Sequence, residues 1–141
     1  MTHPHSLTIR VYYEDTDFSG LVYHASYLRF MERGRTELLR DLGLGQRALL
    51  QAQGGGGLFF VVRAMTIDFR KPAQMDDSLT VETIVRAVSG ASFELDQRVL
   101  RGEEALVSAR VKIAAVEGDR PRRLPSEVRE KFASLACPHG A

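Results

Sequence analysis

A chain of 141 residues, 44% hydrophobic and 26% charged, has the make-up of one soluble globular domain large enough to bury a core without staples. Its net charge of +1 creates no overall field that would draw nucleic acid or an anionic membrane surface, so neither is expected as a partner. The longest strong apolar run, Leu58 to Val62, stops at Arg63, far short of the roughly 20 residues of a membrane-spanning helix, and MTHPHSLTIR lacks the apolar centre of a signal peptide. The single cysteine, Cys137, rules out an internal disulfide and fits a reducing cytoplasm, the expected location. The expectation is one domain over 1–141, with flexible tails at 1–6 and 136–141.

In chain order, residues 7–13 alternate as a strand through Leu7, Ile9, Val11 and Tyr13. Three carboxylates follow, Glu14, Asp15 and Asp17, and then a turn at Ser19-Gly20. From His24 to Leu42 the apolar residues Tyr27, Leu28, Met31, Leu38, Leu39 and Leu42 recur at helical spacing. Gly34 inside this helix costs about 1 kcal/mol relative to Ala, which predicts close packing against a neighbour. Gly43 and Gly45 are expected C-terminal caps. A short helical turn over 46–52 and a flexible loop at Gly54–Gly57 lead into the second half.

That half reads as sheet. Residues 58–70, 79–88, 92–100 and 105–116 form amphipathic strands, the last three joined by turns at Ser89-Gly90 and Arg101–Glu104. A final short helix is expected over 125–135. The result is an α+β architecture, a five-stranded antiparallel sheet wrapped around one long central helix. One helix covers a curved sheet incompletely and leaves its edge strands open, so a homodimer or homotetramer is expected.

The chemistry lies where the first strand ends. A carboxylate delivered to a helix N-terminus meets unsatisfied N–H groups that polarise a carbonyl, while the carboxylate itself serves as base or nucleophile. That combination suggests acyl transfer or hydrolysis. Taken singly, the acids before a glycine turn are more often a solvated loop. Asp15 reads as a turn or capping acceptor, Glu14 as a solvated charge, and Glu32 with Arg35 as an ion pair at i, i+3. His3 and His5 have a metal pair's spacing but no companion cluster, and no metal site is expected. Cys137 has no base nearby.

The stretch YYEDTDFSGLVYHASYLRFMERGR (12–35), continued by KPAQMDDSLTVET (71–83), resembles the 4-hydroxybenzoyl-CoA thioesterase-like hotdog family, and within it the Tol-Pal-associated acyl-CoA thioesterases. The resemblance covers most of 7–116. Phe18-Ser19 stand where small residues are usual, and the Gly54–Gly57 run is uncommon. The resemblance implies a hotdog fold, dimer-based assembly with sites between subunits, and hydrolysis of acyl-CoA thioesters. It places the family's active-site aspartate on Asp17 and the accompanying His and Tyr on His24 and Tyr13.

No cofactor is implied, since coenzyme A is part of the substrate; coenzyme A and an acyl-carrier protein both stay open as carrier. Backbone N–H groups near Tyr23, His24 and Ala25 are the expected oxyanion donors. Arg120, Arg122 and Arg123 are candidates for the CoA phosphates, alongside Arg63, Lys71, Arg86 and Arg98, with none assigned. Two other classes remain: a noncatalytic acyl-binding or acyl-carrier scaffold, and another hotdog enzyme such as a hydratase or dehydratase.

Overall fold

The computed structural model describes residues 4–44 and 58–136. Alternation in HSLTIR gives strand β1, His5–Arg10, two residues earlier than the Leu7 start read from the pattern, so His5 and Ser6 belong to the sheet and not to a tail. The strand also stops sooner than expected. Val11 is fully buried, and Tyr13–Asp15 form a 3₁₀ turn rather than the strand's end. The expected helical turn at 46–52, Gly45, the Gly54–Gly57 loop, His3 and Cys137 lie outside the described residues.

Helix α1, His24–Asp41, buries the face carrying Ser26, Tyr27, Phe30, Met31, Gly34, Leu38 and Leu39. It ends where Gly43 takes a φ of +74°, which glycine adopts without steric cost. The remaining strands are β2 (Leu58–Phe69), β3 (Ser78–Val88), β4 (Ser92–Arg101), β5 (Glu104–Glu117) and the two-residue β6 (Arg120–Pro121). They pair antiparallel in the order β1-β3-β4-β5-β2, with β6 on β5.

The helix lies on one face of this sheet, against β1, β3 and β4. Gly34 explains how closely. A Cβ built there would stand 2.6 Å from Val81 Cγ1 and 3.2 Å from both Gln97 Nε2 and Thr83 Oγ1, so the missing side chain is what lets the backbone seat on the strands. A second helix, α2 (Ser126–Leu135), shares the covering that the sequence assigned to α1 alone. Its Phe132 stacks on Phe93 at 4.2 Å, and Lys131 donates to the carbonyl of Leu42 at the end of α1.

The helices cover β2 only in part, Tyr27 of α1 meeting Phe69 at 5.9 Å and Phe132 of α2 meeting Phe60 at 6.2 Å. In β3, β4 and β5 every second residue is buried, whereas Phe59, Val61, Val62 and Phe69 of β2 stay exposed in the single chain. A bulge at Arg63 interrupts its pairing with β5. Its outer edge has no neighbouring strand among the described residues.

Candidate active site

The loop between β1 and α1 is held by one buried acid, Asp15. Its Oδ2 accepts the Tyr12 N–H at 2.8 Å and its Oδ1 accepts from Arg29 at 3.2 Å. Its carbonyl accepts the Ser26 hydroxyl at 3.0 Å and the Tyr23 N–H at 2.9 Å. Arg29 also donates to Ser26 at 3.1 Å. Asp15 is therefore the turn acceptor its sequence position suggested, and it fastens the loop to the first turns of α1. Glu14 is exposed. Arg29 was not legible as a partner, because the pair closes across fourteen residues and matches no helical spacing.

Two residues beyond this clamp, Asp17 sits on a small tongue where Thr16 bridges to Val22 and Leu21 to Gln74. Asp17 Oδ1 accepts the Ser19 N–H at 2.8 Å and a short hydrogen bond from the Ser19 hydroxyl. These bonds, the hydroxyl first, hold the Asp17 carboxyl below the ordinary carboxylate value, so it is ionised at neutral pH. Gly20 closes the turn at φ +84°. Phe18, the departure from the family pattern, points wholly into solvent in the single chain.

His24 opens α1, its ring 4.5 Å from Tyr23 and 6.2 Å from Phe69. It rims a pocket of about 230 Å³ with Val22, Tyr27, Phe69, Arg70 and Lys71. Tyr27, buried beneath, accepts the Ala73 N–H at 2.9 Å and ties the loop after β2 to the helix, and its burial pushes its phenol pKa up. Of the three expected oxyanion donors, the Tyr23 N–H is committed to the Asp15 carbonyl. The N–H groups of His24 and Ala25, in the first turn, have no recorded partner among the described residues.

Tyr13 is 80% exposed, and no hydrogen bond joins its hydroxyl to Asp17 among the described residues. In the single chain the Asp17 carboxyl is turned to Ser19, the His24 ring lies against Tyr23 and Phe69, and Tyr13 is turned outward. His5, read as tail, pairs instead with Asp41 at 2.7 Å.

Several cations considered for phosphate are already engaged: Arg86 with Asp96, Arg98 with Glu82 and Lys71 with Glu104. Arg63, Arg120, Arg122 and Arg123 have no ion pair among the described residues. Glu32 and Arg35 do not form the expected ion pair; Arg35 turns inward and donates to Gln97 Oε1 at 3.0 Å. Among the described residues no trio of His, Cys, Asp and Glu is disposed to hold a metal, and no helix is long and apolar enough to cross a membrane.

A long helix packed on one antiparallel sheet is the hotdog architecture, and the chain belongs to the thioesterase-like superfamily, whose model matches residues 11–134. Within it, the chain is 46% identical over 132 residues to the acyl-CoA thioesterase YbgC of Haemophilus influenzae, covering 92% of this chain and 95% of that one. It is 41% identical to the acyl-CoA thioester hydrolase YbgC of an Escherichia coli O6:H1 strain over 127 residues, 88% of this chain and 92% of the relative. The crystal structure of a probable thioesterase from Bartonella henselae superposes with a TM-score of 0.84 at 50% identity, over 87% of this chain and 100% of that chain. YbgC is the Tol-Pal-associated branch that the 12–35 motif resembles.

Proposed function

We propose that this protein hydrolyses acyl-CoA thioesters to a carboxylic acid and free coenzyme A, in the cytoplasm, with Asp17 as nucleophile or general base. Kinship with the two YbgC thioesterases supports the reaction. What supports the site is an ionised carboxylate on a loop that Asp15 clamps to the first turns of α1, where the N–H groups of His24 and Ala25 have no partner among the described residues.

A thiol leaves with a pKa near 8.5, so expelling coenzyme A needs no strong acid. What the reaction needs is attack on the carbonyl and a home for the oxyanion. Asp17 attacks to give a mixed anhydride that water then opens, or it takes a proton from the attacking water; in both routes water supplies the new oxygen and the thiolate leaves. The N–H groups of His24 and Ala25 receive the oxyanion. His24 orients the thioester or the water. Tyr13, turned outward in one chain, acts only if a second copy folds over it. The chemistry calls for neither a metal nor a cofactor. A hydratase or dehydratase would want an acid on the central helix facing the sheet, and the buried face of α1 carries none.

The working form is two copies joined through the open edge of β2. In each chain the start of α1 faces the end of β2, at Phe69, and its second half faces the start of β2, at Phe60–Val62. Antiparallel pairing of β2 with its copy lays the start of one strand beside the end of the other. The helical midsection of one protomer then meets the His24 corner of its partner. Arg63, Arg120, Arg122 and Arg123, without an ion pair among the described residues, are available to the phosphates of coenzyme A.

The test is thiol release from a panel of acyl-CoA and acyl-carrier-protein thioesters, with chelator present. Asp17→Asn should keep its fold and bind substrate while the rate constant falls by at least about a hundredfold. His24→Ala should cost less and Glu14→Gln little. Near-normal turnover in Asp17→Asn, with loss in Glu14→Gln or Cys137→Ser, would put the site elsewhere.

A further inference from the structure

Between the second half of α1, the start of β2 and α2 lies a second cavity, of about 340 Å³. Its wall is apolar, built from Leu38 and Leu39 of α1, Phe60 of β2, Phe93 and Leu95 of β4, and Phe132 of α2. Arg35 also lines it, and a guanidinium in such a setting requires an explanation. The sheet beneath supplies one half of it. Gln97, completely buried, donates from Nε2 to the Met31 carbonyl at 3.0 Å and to Thr83 Oγ1 at 2.9 Å, which aims its Oε1 at Arg35. The missing side chain at Gly34 makes room for that amide under the helix. The guanidinium is thereby fixed at the cavity wall, with one of its five N–H donors used among the described residues.

The other half of the explanation is a counter-charge. No carboxylate of the described residues lies within ion-pair distance of Arg35. Glu32, one turn earlier on α1, is exposed at the rim, and Thr36 is the other polar lining residue. Burial alone disfavours the charged form of this guanidinium, and Glu32 offsets that in part.

We propose that this cavity receives the acyl chain of thioesters whose far end carries a carboxylate, with Arg35 as the residue that selects them. The inference rests on the acyl-CoA thioesterase reading and on the paired β2 strands, which set the cavity beside the partner's His24 corner. A carboxylate terminus takes a charge-assisted hydrogen bond from an N–H already held in place. A methyl terminus leaves those donors desolvated and unmatched. At roughly 30 Å³ per water-sized volume the cavity holds on the order of ten such volumes, which suits a short or medium chain and not a long one.

The experiment compares matched thioesters of equal carbon count: butyryl- against succinyl-CoA, hexanoyl- against adipoyl-CoA, octanoyl- against suberoyl-CoA. Wild type should favour the carboxylated member of at least one pair by about tenfold or more in kcat/KM, and the free dicarboxylate should inhibit better than the monocarboxylate. In Arg35→Met that ratio should fall to about one or below, and Arg35→Lys should restore part of it. The wild-type comparison needs no variant, so it tests the carboxylate preference even if Arg35→Met fails to fold. Brisk hydrolysis of the methyl-ended series with no carboxylate preference overturns this inference and leaves the thioesterase reading standing. No thiol release from any thioester overturns both.

Discussion

Replacing Gly34 with Ala sets two physical effects against each other. Helix propensity alone favours the change by about 1 kcal/mol, since glycine in a helix interior costs that much. Packing opposes it. The new methyl would lie 2.6 Å from Val81 Cγ1, too close to stand unless something shifts, and Val81 is fully buried in β3. It would also press at 3.2 Å on Gln97 Nε2 and Thr83 Oγ1, which hold each other and the Met31 carbonyl. Overpacking of this kind costs about 1–3 kcal/mol, and loosening one buried hydrogen bond adds about 1 kcal/mol. The net expectation is a loss of about 1–3 kcal/mol. For a chain of this size that is a melting point lower by roughly 3–10 °C. Urea unfolding followed by circular dichroism at fixed protein concentration measures it, with an unchanged m-value showing that the folded state keeps its compactness. A Gly34→Ala protein more stable than wild type would refute the close seating of α1 on β3.

Two further outcomes are expected. Because the Ser19 hydroxyl is the main cause of the low Asp17 pKa, and ionised Asp17 is the active form, activity should persist as pH falls until Asp17 protonates below the ordinary carboxylate value; Ser19→Ala should raise that pKa and move the acid limb of kcat/KM to higher pH, and an unmoved limb would disconnect Asp17 from the rate. Ala64→Glu puts a bulky charge at the middle of the open β2 edge, where the single chain has space, so sedimentation should shift to the one-chain species and activity should drop; intact assembly with full activity would remove β2 as the joining edge.

The elements themselves were legible, since each follows from a local rule. Helical spacing from Tyr27 to Leu39 marks α1, period-two alternation marks β3, β4 and β5, and Gly43 marks where the helix stops. The acids before the helix and the quoted motif pointed to Asp17 and His24; the fold puts Asp17 on the loop before α1 and His24 at the first position of α1. Contacts between distant residues were not legible, because no spacing rule reaches them. Tyr13 alternates like a strand residue, yet the buried Asp15 draws the chain into a 3₁₀ turn and turns the tyrosine to solvent. Glu32 and Arg35 have the spacing of an ion pair, yet Arg35 finds Gln97 across sixty-two residues, because Gly34 lets the helix sit close enough for the sheet to compete. Sequence determined which segments are helix or strand and where a carboxylate meets a helix start; tertiary packing decided which polar groups are buried together, and so which charges are free to meet a substrate.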